Sequence, residues 1–130
     1  MESSSYDYIR LMLNGLARFQ REGILCDTIF QLHDGEVSAH SVVLASVSRK
    51  LRPVFIPTDP AEQAAHHRIE MPDFNSDDMN LMLKYVYTGE KGTPSTPSNL
   101  VNVISLFETL EIPAPLDWIV TEDCHHLPGI

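Results

Sequence analysis

Cysteine, glycine and positive charge are all scarce in this chain, and no long apolar run occurs. The two cysteines among 130 residues, Cys26 and Cys124, are far apart and form no CxxC pair. Neither a disulfide framework nor a zinc knuckle is indicated, and reduced thiols in the cytosol or nucleus are the expectation. Only 9 Lys and Arg oppose 18 Asp and Glu, a net charge of -9. Nucleic-acid binding needs a basic footprint to neutralise phosphates, so this chain is not expected to bind DNA or RNA by itself. No stretch approaches the roughly 20 apolar residues that cross a bilayer, and the N-terminus has no signal-peptide pattern. An intracellular protein without a membrane partner is predicted. The six glycines form no phosphate-holding loop.

What is present is the composition of a folded domain, 43% apolar and 21% charged. The length fits one domain, expected over residues 6–120, with residues 1–5 and 121–130 as flexible tails. From Tyr6 to Arg21, Ile9, Met12, Leu13, Leu16 and Phe19 recur at spacings of three and four. That spacing places them on one stripe of a helix, with Gly23 as its stop. Cys26 to Leu32 reads as a strand, His33-Asp34-Gly35-Glu36 as a hairpin turn, and Val37 to Ala39 as the return strand. A helix from about Ser41 carries Val43, Leu44, Val47 and Leu51 toward a core, and Pro53 is expected to stop or kink it near Leu51.

Ile56 to His67 reads as a loop and Arg68 to Met71 as a short strand. Asn75 or Ser76 then caps a helix with Asp77 and Asp78 in its first turn and Met79, Met82, Leu83 and Val86 on one face. Thr88-Gly89 ends it. Lys91 to Ser95 is a linker, and Thr96-Pro97 opens a helix with Leu100, Val103, Ile104, Phe107 and Leu110 on its apolar face. Pro113 and Pro115 break that helix, and Leu116 to Val120 adds a short helical piece carrying Trp118. A small sheet followed by many helices predicts an α+β fold.

Four ordered motifs resemble the BTB/POZ domain. They are Leu25-Cys26-Asp27; Ala39-His40 with Val43-Leu44-Ala45 and Ser48; Met82-Leu83 with Tyr85 and Tyr87-Thr88-Gly89; and Leu110-Glu111-Ile112-Pro113. The resemblance covers residues 6 to 120. It implies a helical cluster flanked by a short mixed sheet, with an additional N-terminal helix as in the long form of zinc-finger transcription factors and kelch proteins. In that form the extra helix packs against its twin, which would make Ile9, Met12, Leu13, Leu16 and Phe19 a homodimer interface. Periodicity alone leaves packing on the chain's own domain equally open. The resemblance also implies a pocket near the interface formed by Asp27, His40 and Ser41. Zinc-finger members usually carry Lys or Arg where Ser41 stands, so Asp27 lacks a basic partner and an inherited corepressor groove is weakened.

The function implied is homodimerisation and recruitment of other proteins, such as corepressors, in a nuclear transcription regulator. A cytoplasmic location is the alternative, and so is a substrate adaptor that binds a cullin ubiquitin ligase. Such adaptors carry a hydrophobic-x-Glu motif, which Pro60-Ala61-Glu62 matches poorly. No catalytic residues, cofactor or metal are expected. His66-His67 and Asp123-Cys124-His125-His126 lack zinc-finger spacing. Ser41, Ser46 and Ser48 near His40 lack a nucleophile elbow and a third orienting group. His40 is expected to be a buried structural histidine, and Cys26 a buried small hydrophobe.

Overall fold

Two residues, His33 and Asp34, turn β1 (Thr28–Leu32) back onto β2 (Gly35–Ala39) as an antiparallel hairpin, with Leu32 opposite Gly35 and Thr28 opposite Ala39. Gly35 has φ +149°, a backbone state that suits a residue without Cβ. The computed structural model that shows this describes residues 2–118. β3 (His67–Met71) runs parallel to β1 along its other edge, pairing Phe30 with Ile69, so the strand order is β2-β1-β3. Alternation along β1 buries Thr28, Phe30 and Leu32 and leaves Ile29 and Gln31 half-exposed on the opposite face. The sheet is short and mixed, and helices cover its inner face.

The crossover from β2 to β3 departs from the expected single helix. α2 (Ser41–Val47) ends four residues before Leu51, and Pro53 lies in the first turn of a separate short helix, α3 (Arg52–Phe55). Proline is tolerated there because the N–H it lacks has no intrahelical acceptor. Buried Ser48 terminates α2 instead. Its backbone is extended, and its hydroxyl donates to Leu110 O at 2.6 Å and accepts the Leu51 N–H at 2.9 Å. The Arg52 guanidinium then donates to Ala45 O at 2.8 Å. Pro60–Glu62 forms a 3-10 turn within the expected loop, capped by Asp59.

α4 (Ser76–Thr88) begins at a reciprocal capping box between Asn75 and Asp78, and ends at Gly89 with φ +74°. α5 (Pro97–Thr109) is capped by Thr96 and packs against α4. Two features of this pair differ from the sequence reading. Leu81, Tyr87 and Leu106 are buried besides most of the expected faces, and Val86 and Leu100 are only half-buried. Asp78 does more than occupy the first turn of α4. It is 1% exposed and accepts from Asn99 Nδ2 at 2.7 Å and Asn102 Nδ2 at 3.3 Å, clamping the two helix starts together.

α1 (Glu2–Glu22) starts earlier than Tyr6 because no proline or glycine interrupts Glu2 to Ser5. It stops at Gly23, φ +72°, with the Ile24 N–H bonded to Phe19 O. α1 lies across α4 and β2, and Gln20 donates to Ser38 O at 2.8 Å. At the other end Trp118 is buried against Phe107, and its N–H bonds to Pro115 O. Ile119 and Val120 of the expected terminal helical piece, and the expected tail from Thr121, lie outside the described residues.

Candidate protein-interaction surface

At 100° per residue, Leu13, Ala17 and Gln20 share the side of α1 that meets α4 and β2, while Tyr8, Met12, Gly15 and Phe19 lie about 140° away round the helix. Exposure depends on position along α1 as well as on angle, since Gly15 and Phe19 are half-buried and Ile9 is exposed. Ala17 and Gln20 are buried, whereas Tyr8 is 70%, Leu11 68%, Met12 53% and Ile9 52% exposed. The stripe anticipated from periodicity is therefore divided. Ile9 and Met12 face solvent, Leu13 and Phe19 are half-buried, and Leu16 is half-buried against the protomer's own core. Tyr8 and Leu11 had no place in that stripe because Tyr8 sits on its flank and Leu11 on its far side, and only the docking angle of α1 reveals them.

Two further apolar side chains stand in solvent beside the C-terminal end of α1. Leu25 is 80% exposed and Val42, on α2, is 75% exposed. Leu25 also has φ +59°, a left-handed state that costs a branched side chain roughly 1 kcal/mol. Strain of this kind persists where its surroundings hold it, and it concentrates at functional surfaces.

Asp27 and Ser41 are brought into direct contact, and His40 precedes Ser41 with its ring bonded elsewhere. Asp27 Oδ1 accepts the Ser41 backbone N–H at 2.7 Å and Oδ2 accepts the Ser41 hydroxyl at 2.5 Å, with Thr28 Oγ1 donating at 3.2 Å. Ser41 is thus the partner that replaces a basic residue. Asp27 does for α2 what its N-cap residue His40 does not, since the His40 side chain makes no cap bond. Burial pushes the Asp27 carboxyl up, but the bonds from Ser41 and Thr28 outweigh it and hold the group below the usual carboxylate range.

The tautomer of His40 follows from its partners. Nε2 lies 2.8 Å from Ile24 O, which can only accept, so Nε2 carries the proton. Nδ1 is then an acceptor for the Tyr87 hydroxyl at 2.7 Å, and the same oxygen accepts the His40 backbone N–H at 2.9 Å. One buried imidazole ties the entry to β1, the β2–α2 junction and α4. Desolvation keeps the Tyr87 phenol neutral, raising it above the ordinary tyrosine range against the opposing His40 N–H.

Cys26 corrects an expectation. It precedes β1 rather than starting it and is half-buried, with Sγ 3.7 Å from His40 Nε2 and 4.0 Å from Phe19 O. This proximity does not make a thiol–imidazole pair. Nε2 already donates to a carbonyl, and burial together with the Asp27 charge pushes the thiol up despite the Ser38 hydroxyl. Serine hydroxyls near His40 are equally committed: Ser41 to Asp27, Ser46 to Val43 O and Ser48 to Leu110 O. His66 is exposed, and His67 packs edge-on against Phe55. Among the described residues no three His, Cys, Asp or Glu side chains group as metal ligands, and no helix is long and apolar enough to cross a membrane. The Asp123–His126 segment lies outside the described residues.

The profile of the BTB/POZ domain matches residues 16–127. The chain belongs to the BTB/POZ family. Kelch-like protein 40b of Danio rerio is 27% identical over 104 residues, which are 80% of this chain and 16% of that protein. Kelch-like protein 28 of Homo sapiens is 31% identical over 78 residues, 60% of this chain and 13% of that protein. The BTB/POZ chain therefore spans a small part of the curated relatives it matches. The BTB domain of zebrafish PATZ1 superimposes with a TM-score of 0.65 over 82% of this chain and 83% of that one, at 19% identity, a likeness of fold. BTB/POZ is a protein-interaction fold rather than an enzyme family. The exposed N-terminal half of α1 precedes the profile match.

Proposed function

We propose that this BTB/POZ chain homodimerises through the free face of α1 and, as a dimer, recruits other proteins, among them corepressors, within a nuclear transcription regulator. The observation that carries the reading is the uncovered apolar side of a helix whose opposite side is already docked. Covering side chains half to four-fifths exposed contributes about 1–2 kcal/mol each. Tyr8, Ile9, Leu11, Met12, Leu25 and Val42 from two protomers together offer roughly 12–24 kcal/mol, against an association cost of about 4–15 kcal/mol. A two-fold pairing of α1 with its twin uses the same surface on both sides. The net charge of -9 supports a division of labour in which any DNA contact is made by a separate basic segment.

The test is light scattering or sedimentation of the chain and of the Leu11→Asp/Met12→Asp variant. Both residues are exposed in the protomer, so the expected result is a dimer converted to folded monomers with unchanged far-ultraviolet circular dichroism. A wild-type chain that stays monomeric at tens of micromolar refutes the reading. Leu16→Asp is less informative because Leu16 also packs on the protomer's own core.

A second reading, a cullin adaptor, is favoured by the similarity to kelch-like proteins. Pro60-Ala61-Glu62 is an exposed 3-10 turn, but its leading position is proline instead of a large apolar residue. Pull-down with a cullin N-terminal region discriminates between the readings, and no binding at tens of micromolar removes this one.

A further inference from the structure

We propose that Thr93 is a phosphorylation site for a proline-directed protein kinase and that Lys84 of α4 receives the phosphate. Two Thr-Pro pairs occur in the chain, Thr93-Pro94 between α4 and α5 and Thr96-Pro97 at the start of α5. The fold uses one and leaves the other idle. Thr96 is the N-cap of α5, its hydroxyl accepts the Asn99 N–H at 3.0 Å, and Pro97 is already the first helical residue. Thr93 is exposed, lies in a segment without helix or strand, and its hydroxyl has no hydrogen-bond partner among the described residues. Pro94 biases Thr93 toward the extended backbone in which a kinase grips its substrate.

The surroundings of Thr93 supply a receiver for the product. A Cβ at Gly92 would lie 2.6 Å from Leu81 Cδ1 and 3.2 Å from Lys84 Cδ, so the loop backbone rests directly on the aliphatic stem of Lys84. Thr93 and Lys84 line one recess of about 340 Å3 together with Asp77 and Asn80. The Lys84 ammonium has no partner among the described residues, whereas Lys91 is paired with Asp117. An idle hydroxyl and an idle cation thus share one recess.

In the reaction the γ-phosphoryl group of ATP moves to Thr93 Oγ1. The Oγ1–P bond forms as the bond from the γ-phosphorus to the bridging oxygen breaks, ADP leaves, and the hydroxyl proton passes to the kinase's base. The product adds about 1.5 to 2 negative charges and three acceptor oxygens. Lys84 attracts that dianion, Asp77 repels it, and Lys91 can reach it only by leaving Asp117. The phosphate ties the α4–α5 connection to α4.

The whole chain is incubated with ATP and a purified mitogen-activated-type kinase, with a peptide of residues 88–100 as a positive control, and mapped by tandem mass spectrometry. A single phosphate on Thr93 is expected. Pro94→Ala slows its incorporation about tenfold or more, and Thr96→Ala leaves the site unchanged. Phosphorus NMR then titrates the product. The second ionisation of the phosphate is expected below its usual value of about 6, returning toward it in Lys84→Gln. No phosphate on the folded chain, or phosphate on Thr96 alone, overturns the site. A midpoint that Lys84→Gln does not move overturns the assignment of Lys84.

Discussion

Tyr87→Phe removes one oxygen atom and should destabilise the protomer by about 2–4 kcal/mol, because that oxygen closes the His40 network. Two hydrogen bonds disappear, one to His40 Nδ1 at 2.7 Å and one from the His40 N–H at 2.9 Å. Each is worth about 1 kcal/mol net, and a buried group left without its partner costs about 1–3 kcal/mol. His40 is 7% exposed and Tyr87 2%, so water does not readily replace the hydroxyl. Easier burial of phenylalanine offsets part of this, which sets the range. Urea unfolding reads the effect through Trp118, the single tryptophan, buried against Phe107 with ring centroids 6.4 Å apart. Both proteins are compared at one protomer concentration, since self-association adds stability by mass action. The midpoint should fall with the slope unchanged. The alkaline limb supplies a second reading. Tyr87 is raised above its unfolded value, so its contribution is complete below the ordinary tyrosine range near pH 10 and is lost as pH rises toward the folded value. Tyr87→Phe should flatten that loss. A penalty under about 0.5 kcal/mol, with an unaltered alkaline limb, would refute the assigned network.

Ser41→Ala should move acid unfolding to higher pH. Asp27 is held below its unfolded value, so its contribution is present above about pH 4 and is lost as pH falls through the folded value. Circular dichroism between pH 2 and 5 measures the displacement. Asp78→Ala should cost about 3–5 kcal/mol in urea, since the Asn75 N–H, Asn99 and Asn102 lose a buried acceptor. A cost near zero would mean that the α4–α5 clamp is dispensable. Leu25→Gly relieves a left-handed leucine and should leave the monomer as stable or about 0.5–1 kcal/mol more stable, while weakening self-association. Unaltered dimer affinity by analytical ultracentrifugation would take Leu25 out of the interface.

The helix starts and stops were legible because their causes are local. Asn75 and Thr96 accept the N–H groups expected of caps, and Gly23 and Gly89 take the positive φ that ends a helix. Pro53 misled because proline stops one helix or opens another depending on what precedes it. Here buried Ser48 had already ended α2 through Leu110, 62 residues away. The burial of Asp78 was not legible for a related reason, since it depends on where α5 lands. Within the candidate site, Asp27, His40 and Ser41 were found through their motifs, whereas Tyr87 as the partner of His40 was not.

By itself the sequence determined the α+β class, the caps and the family, since these rest on neighbouring residues and on motif order. It also determined the acidic charge, which argues against nucleic-acid binding. Tertiary structure alone decided which side of α1 is left uncovered. The period of a helix ranks residues by angle but carries no origin, so only docking on α4 and β2 separates Leu16 and Ala17 from Tyr8, Leu11 and Met12. It also decided that Ser41 itself satisfies Asp27. That result depends on bringing a strand entry and a helix start, 14 residues apart, within hydrogen-bond distance.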